Sequence, residues 1–279
     1  MNQLRNALDL YINSSIHVSL AIVAFAIITF LNYGIPVDKD LCLFIFFASI
    51  TGYNFVKYAG IAKLHHLSLA GNLRIIQVFS LICFLALVYF VFKVKTIILV
   101  TSGILGLLTL FYAVPFLGAG KNLRSLPSLK IFIIAVVWAG TTVLLPLVNE
   151  GRIFGVEEIV DFLQRVMFVI LLTLPFEIRD LNYDQKSLET IPQILGIRST
   201  KILGSILILL IAGSEIIQTS FQQEDFIAML VCLAVAGFML WNSKTHQAKY
   251  YASFWVEALP MLYLAIYVML MRYPLHTLF

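Results

Sequence analysis

The residues Phe176-Glu177-Ile178-Arg179-Asp180-Leu181-Asn182-Tyr183-Asp184-Gln185-Lys186 gather three carboxylates and two cations immediately after a long apolar run. On a continuing helix Glu177, Asp180 and Asp184 recur at i, i+3 and i+7, so they share one face. Three neighbouring anions repel unless a cation sits between them. Magnesium commonly binds through one or two carboxylates plus the oxygens of a phosphate substrate. Such a cluster could therefore hold a diphosphate through Mg2+, with Glu177, Asp180 and Asp184 as metal ligands and Arg179 and Lys186 on the remaining phosphate charge. The same pattern also fits a solvated loop whose acids pair with Arg179, Lys186 and Arg198.

Two other stretches offer polar groups at the ends of apolar runs. In Thr51-Gly52-Tyr53-Asn54-Phe55-Val56-Lys57-Tyr58, the residues Asn54, Lys57 and Tyr58 lie on one helical face and could line a polar cavity. The bland reading is a snorkelling lysine beside an interfacial tyrosine. The stretch Phe111-Tyr112-Ala113-Val114-Pro115-Phe116 is followed by Lys121, Arg124 and Lys130, cations that suit a phosphate and equally suit a membrane-exit loop. His65 and His66 are adjacent, so on a helix they point about 100° apart and make poor partners for one metal ion. Glu257, inside the last apolar run, fits a cavity carboxylate or an interfacial one.

The elements that must position these groups are membrane spans. The chain has 279 residues, 61% hydrophobic and only 12% charged, against about 25% charged in soluble domains. Its mean hydropathy is +0.94. Five charge-free runs, 16–37, 75–92, 96–120, 131–149 and 226–243, approach or exceed the roughly 20 residues that cross a bilayer core. Four more candidates are shorter or carry a charge. The expected architecture is one all-α membrane domain over 1–279, with nine spans near 16–35, 41–60, 75–92, 96–117, 131–149, 159–177, 200–219, 226–243 and 251–271. With the N-terminus inside, thirteen Lys and Arg fall on cytoplasmic loops and six outside, which predicts N-in, C-out and places the motif-bearing loops on the cytoplasmic face. The net charge of +4 thus reads as a topology signal, and no nucleic acid partner is implied. Cys42, Cys83 and Cys232 lie in apolar runs without metal or disulfide spacing and read as small hydrophobes. Leu4, Leu8 and Tyr11 suit a short amphipathic surface helix, and no cleavage site or transit peptide is visible, so a bacterial cytoplasmic membrane is the simplest setting.

The arrangement resembles the UbiA superfamily of intramembrane prenyltransferases over nearly the whole chain. The most specific match is Asp180-x-x-x-Asp184 followed by Thr190-Ile191-Pro192 and Leu195-Gly196, similar to that family's second aspartate-rich motif and its Thr-Leu-Pro tail. Glu177 stands where many members have an aspartate or asparagine, and one residue is missing before Thr190. The first motif, Asn-x-x-x-Asp-x-x-x-Asp, keeps Asn54 but carries Tyr58 and Ala62 at the aspartate positions. The resemblance implies a UbiA-like bundle that transfers a prenyl group from a prenyl diphosphate to an aromatic or other hydrophobic, lipid-pathway acceptor. It implies Asp180 and Asp184 as the magnesium-binding catalytic pair, with Arg179 and Lys186 on the diphosphate; Asn54, Lys57, Tyr58, Tyr112, Lys121 and Arg124, from the two other polar stretches, are the remaining expected substrate contacts. Phe44, Phe46, Phe47 and Tyr112 could then face a developing allylic cation. The altered first motif also fits a non-catalytic lipid-binding or accessory protein of the same fold. A small secondary transporter fits less well, because the acids sit at a helix exit and no repeat is visible.

Overall fold

The computed structural model describes residues 2–58, 70–115, 122–215 and 222–272. Among them the chain is helical throughout, without strands. A short helix α1 (Asn2–Asn13) meets α2 (Ile16–Asn32) at a 57° bend. Eight further helical segments are each long and apolar enough to cross a membrane, and the bent pair makes a ninth. They are α3 (Lys39–Tyr58), α4 (Ala70–Val91), α5 (Thr96–Ala113), the broken helix α6 (Leu129–Ala139) with α7 (Leu145–Asn149), α8 (Val156–Asp180), α9 (Ile191–Ser214), α10 (Gln223–Asn242), and a last span ending in α11 (Leu259–Arg272). The expected multi-pass helical bundle is therefore present.

Packing joins the helices into a closed ring: α2 on α3, α3 on α5, α5 on α6, α6 on α8, α8 on α9, α9 on α10, α10 on α11, and α11 back on α2. The most enclosed of them is α2, whose Ala21, Phe25, Ala26, Ile28 and Phe30 are fully buried. Conversely α4 turns Val78, Leu81, Ile82 and Leu85 outward, and α9 turns out Ile202, Ile206, Leu209 and Leu210. Exposed apolar rows at helical spacing are lipid-facing surface in a membrane bundle.

Two spans contain a wide π-helical turn, at Gly140–Leu144 and at Tyr251–Val256. Each is followed closely by a proline, Pro146 and Pro260. A proline cannot donate the i→i−4 bond, so the ladder shifts to the longer repeat before it. The helix over the span expected near 200–219 is preceded by a short helical stretch from Ile191, set off by a kink at Gly196 with φ 78° and ψ 163°. A capping box starts that stretch: Thr190 N–H donates to Gln193 Oε1 at 2.9 Å, and Pro192 occupies the first turn.

The end of the bundle that carries the N-termini of α3, α5, α8 and α10 is held by buried polar contacts. Arg165 donates to the Phe25 carbonyl at 2.9 Å and lies 4.1 Å from the Phe25 ring centre. Tyr33 donates to Asp161 at 2.6 Å, and Tyr263 and Asn32 donate to Asp225 at 2.7 and 3.0 Å. Unpaired, each of these groups would be costly away from water. Paired, they fasten α2, α8, α10 and α11 to one another.

Candidate active site

At the opposite end α8 terminates at Asp180, and the chain turns at once. The N–H groups of Tyr183 and Asp184 both donate to the Asp180 carbonyl at 2.8 Å. Asp184 therefore lies in a turn rather than on a continuing helix. The segment that follows is stitched to the start of α6: Ser128 N–H donates to the Leu188 carbonyl at 3.0 Å and Ser128 Oγ to the Glu189 carbonyl at 2.8 Å. This stitching brings Lys130, near the start of α6, against the turn.

Lys130 Nζ stands 3.0 Å from Glu177 Oε1 and 3.2 Å from Asp184 Oδ2. Glu177 is buried, while Lys130 and Asp184 keep a small accessible surface. Asp180 is taken instead by its neighbour Arg179, whose Nε and Nη2 donate to the two carboxylate oxygens at 2.7 and 3.0 Å. Tyr112, buried at the end of α5, lies within electrostatic reach of Arg124, Lys130, Glu177 and Asp184. Arg124 and Lys186 are exposed on the same rim and form no ion pair among the described residues. Of the expected site residues, Glu177 and Asp184 meet Lys130, Tyr112 lies within electrostatic reach of it and of Arg124, and Arg179 and Asp180 pair with each other. Lys121, Ala62, Lys63, His65 and His66 lie outside the described residues.

Asn54, Lys57 and Tyr58 have a different set of partners. The bend between α1 and α2 leaves the last carbonyls of α1 without helical donors. Lys57 Nζ donates to the Ile12 carbonyl at 3.4 Å and to Ser15 Oγ at 2.9 Å. Tyr58 donates to the Asn13 carbonyl at 3.0 Å, and Asn54 Nδ2 to the Ser14 carbonyl at 3.1 Å and to Ser80 Oγ at 2.8 Å. Ser15 Oγ in turn donates to Asn54 Oδ1 at 2.8 Å. These side chains cap α1 and hold Ser15 at a left-handed φ of 64°. The three non-glycine residues with positive φ among those described, Ser15, Ser128 and Glu189, all belong to this end of the bundle. Strain of about 1–3 kcal/mol per residue persists where surrounding contacts over-determine it.

Between the two clusters lies a polar interior. Glu257, just after the second π-helical turn, is within electrostatic reach of Lys57 and Arg179. Tyr53 shares the surroundings of both Glu257 and Tyr112 and accepts a hydrogen bond from Trp138 Nε1 at 2.5 Å. Tyr53 and Glu257 are half-buried and Lys57 is exposed, and the Glu257 carboxylate forms no hydrogen bond or ion pair among the described residues. Tyr53, Trp138 and the central place of Lys130 escape a reading of motifs. The available signals were a tyrosine one turn before Lys57 and a lysine at the edge of a predicted span.

The candidate cation-facing aromatics mostly serve packing. Phe44 is core, Phe46 meets Phe47 edge-on at 5.3 Å, and Phe47 stacks on Phe90 of α4 at 5.7 Å. Among the described residues, no group of three or more His, Cys, Asp or Glu converges as a metal site. The donors that magnesium would require are already engaged. Glu177 and Asp184 hold an ammonium, Asp180 holds a guanidinium, and the counterpart motif presents an amide and a phenol facing the α1–α2 bend. The arrangement does not fit a pair of magnesium ions.

None of the family models matches the sequence, and neither does any of the curated proteins. Among solved structures, the chain is similar to that of a digeranylgeranylglyceryl phosphate synthase in membranes, with a TM-score of 0.57 and 16% identity. The likeness spans 96% of this chain and 98% of that one, so it covers the whole helical ring. The chain has the UbiA-type fold. Within that fold, the helix exits at Tyr58, Ala113 and Asp180 lie at one end of a membrane bundle, as the motif resemblance implies.

Proposed function

We propose that this protein is a prenyltransferase that binds a prenyl diphosphate at the Lys130–Asp184 end and joins its prenyl group to a hydrophobic or aromatic acceptor within the membrane. The observation that carries this reading is the gathering of Tyr112, Arg124, Lys130, Arg179 and Lys186 with three carboxylates at the mouth of an apolar ring of UbiA-type fold. The cations meet the diphosphate oxygens, and the apolar helices take the prenyl tail.

The reaction breaks the allylic carbon–oxygen bond, and the diphosphate leaves with the electron pair. The acceptor supplies a new pair to the same carbon and loses a proton. Stabilising charge on the leaving group is the largest demand. Magnesium supplies that charge in the family the motifs resemble; here Lys130, Arg179, Arg124 and Lys186 stand at the corresponding place. The aromatic rings of Tyr53 and Tyr112 lie near the developing cation, and the half-buried Glu257 is the acceptor of the proton. On this reading Asp180 and Asp184 orient Arg179 and Lys130, and Asn54, Lys57 and Tyr58 form the wall beside them. Positive-inside charge supports a cytoplasmic position for this end.

The test is transfer from radiolabelled geranylgeranyl diphosphate to lipid-extractable product in membranes containing the protein. The expected result is product that disappears with Asp180→Asn/Asp184→Asn. A second reading, a non-catalytic lipid-binding protein, rests on the hydrogen bonds that Asn54 and Tyr58 make to the α1–α2 bend. Binding of the diphosphate without turnover across aromatic and glycerol-type acceptors would favour it.

A further inference from the structure

We propose that Lys130 is a built-in counter-ion that replaces a divalent metal at this site, so that a prenyl diphosphate binds here without magnesium. The inference rests on the prenyl diphosphate reading above and concerns how that ligand's charge is met.

The argument begins with space. Lys130 Nζ lies between Glu177 and Asp184 at 3.0 and 3.2 Å, ordinary distances for an ammonium. Magnesium needs oxygen ligands at about 2.0–2.1 Å in near-octahedral geometry, so it cannot share the gap with the ammonium. Lys130 also has little freedom to leave. It sits one residue into α6, the Ser128 contacts with Leu188 and Glu189 pin the preceding turn, and the buried ring of Tyr112 lies nearby. A divalent ion at the carboxylates would face a cation a few ångströms away in a partly buried site, where like-charge repulsion is poorly screened.

Charge balance leads to the same result. Glu177 and Asp184 are opposed by Lys130, and Asp180 by Arg179, so each of the three carboxylates has a cationic partner before any metal enters. Asp180 is closed to a metal by the two-pronged contact of Arg179. The position that would supply a facing carboxylate carries Tyr58, bonded to the Asn13 carbonyl. A tyrosine thus stands where a metal-dependent site needs an acid, and a lysine occupies the gap between the acids that remain.

The decisive measurement is the affinity and thermal stabilisation of the full-length, detergent-purified protein with geranylgeranyl diphosphate, in excess EDTA and in excess magnesium. For the native protein the expected affinities agree within about threefold. Lys130→Met should lose about tenfold or more in EDTA and regain it with magnesium, because two carboxylates are then free to hold the metal. Lys130→Arg should keep metal-independent binding. Manganese, followed by electron paramagnetic resonance, should remain free with the native protein and bind to the Lys130→Met protein. Native stabilisation that appears only with magnesium overturns the inference and leaves the prenyl diphosphate reading standing. No stabilisation under either condition overturns both. If Lys130→Met fails to fold, the native and Lys130→Arg comparisons decide alone.

Discussion

Glu257 shows how one residue can be decided by its partners. Its sequence position allowed either an interfacial or a cavity acid. In the structure it is half-buried, with Lys57 and Arg179 within electrostatic reach, and its carboxylate makes no hydrogen bond among the described residues. As acceptor of the proton lost during transfer, it should be required for turnover and not for diphosphate binding. Glu257→Gln should lower the transfer rate by about 10²–10⁴-fold while geranylgeranyl diphosphate still raises the melting temperature. Equal loss of both would place Glu257 on the diphosphate instead. Asn54 shows the opposite outcome. It was readable as a motif residue, yet its amide joins Ser14, Ser15 and Ser80. Asn54→Ala leaves the Ser14 carbonyl and Ser15 hydroxyl short of partners at a strained turn, and should cost about 1–3 kcal/mol, seen as a lower melting temperature without ligand. The types and spacing of the acids were legible in the chain. Their partners were not, because Lys130 is 47 residues before Glu177 in the sequence and meets it only through helix packing.

Helices were the most legible part of the chain, since long apolar runs have few alternatives in a bilayer. Their ends were less so. The capping box at Thr190 starts a short helical stretch at Ile191, ahead of the kink at Gly196, and α8 runs three residues past its expected end to stop at Asp180. Close packing between elements was invisible as well. A Cβ on Gly204 would approach the Leu240 side chain to 2.1 Å and that of Leu174 to 3.1 Å, so α9 rests directly on α10 and α8. Gly204→Val should separate these helices and lower stability by about 1–3 kcal/mol, while Gly103→Val, whose Cβ position is open, should be nearly silent. Thermal melts of the two proteins in one detergent check the contrast.

Across the whole molecule, the two ends of the bundle differ in chemistry. One end carries Lys130 and its partly accessible acids. The other is closed by buried pairs, with Glu215 just beyond α9 accepting from Gln164 at 2.7 Å. Burial raises the Glu215 carboxyl above its ordinary 4.5, and the Gln164 hydrogen bond only partly opposes this. The unfolded chain then releases the proton at lower pH than the folded one. Stability should fall as pH rises above about 4.5 and level off once the folded form also ionises. Glu215→Gln should flatten that part of the stability profile, as measured by melting across the acidic range.

The meeting of α1 with the far end of the chain also sets the order of assembly. Asp9 pairs with Lys249 at 2.6 Å and accepts from Tyr250 at 2.8 Å, and His17 bonds the Phe254 carbonyl at 2.9 Å across 237 residues. These contacts therefore form only after residues 249–254 have been made, so α1 and the start of α2 receive their last partners late in synthesis.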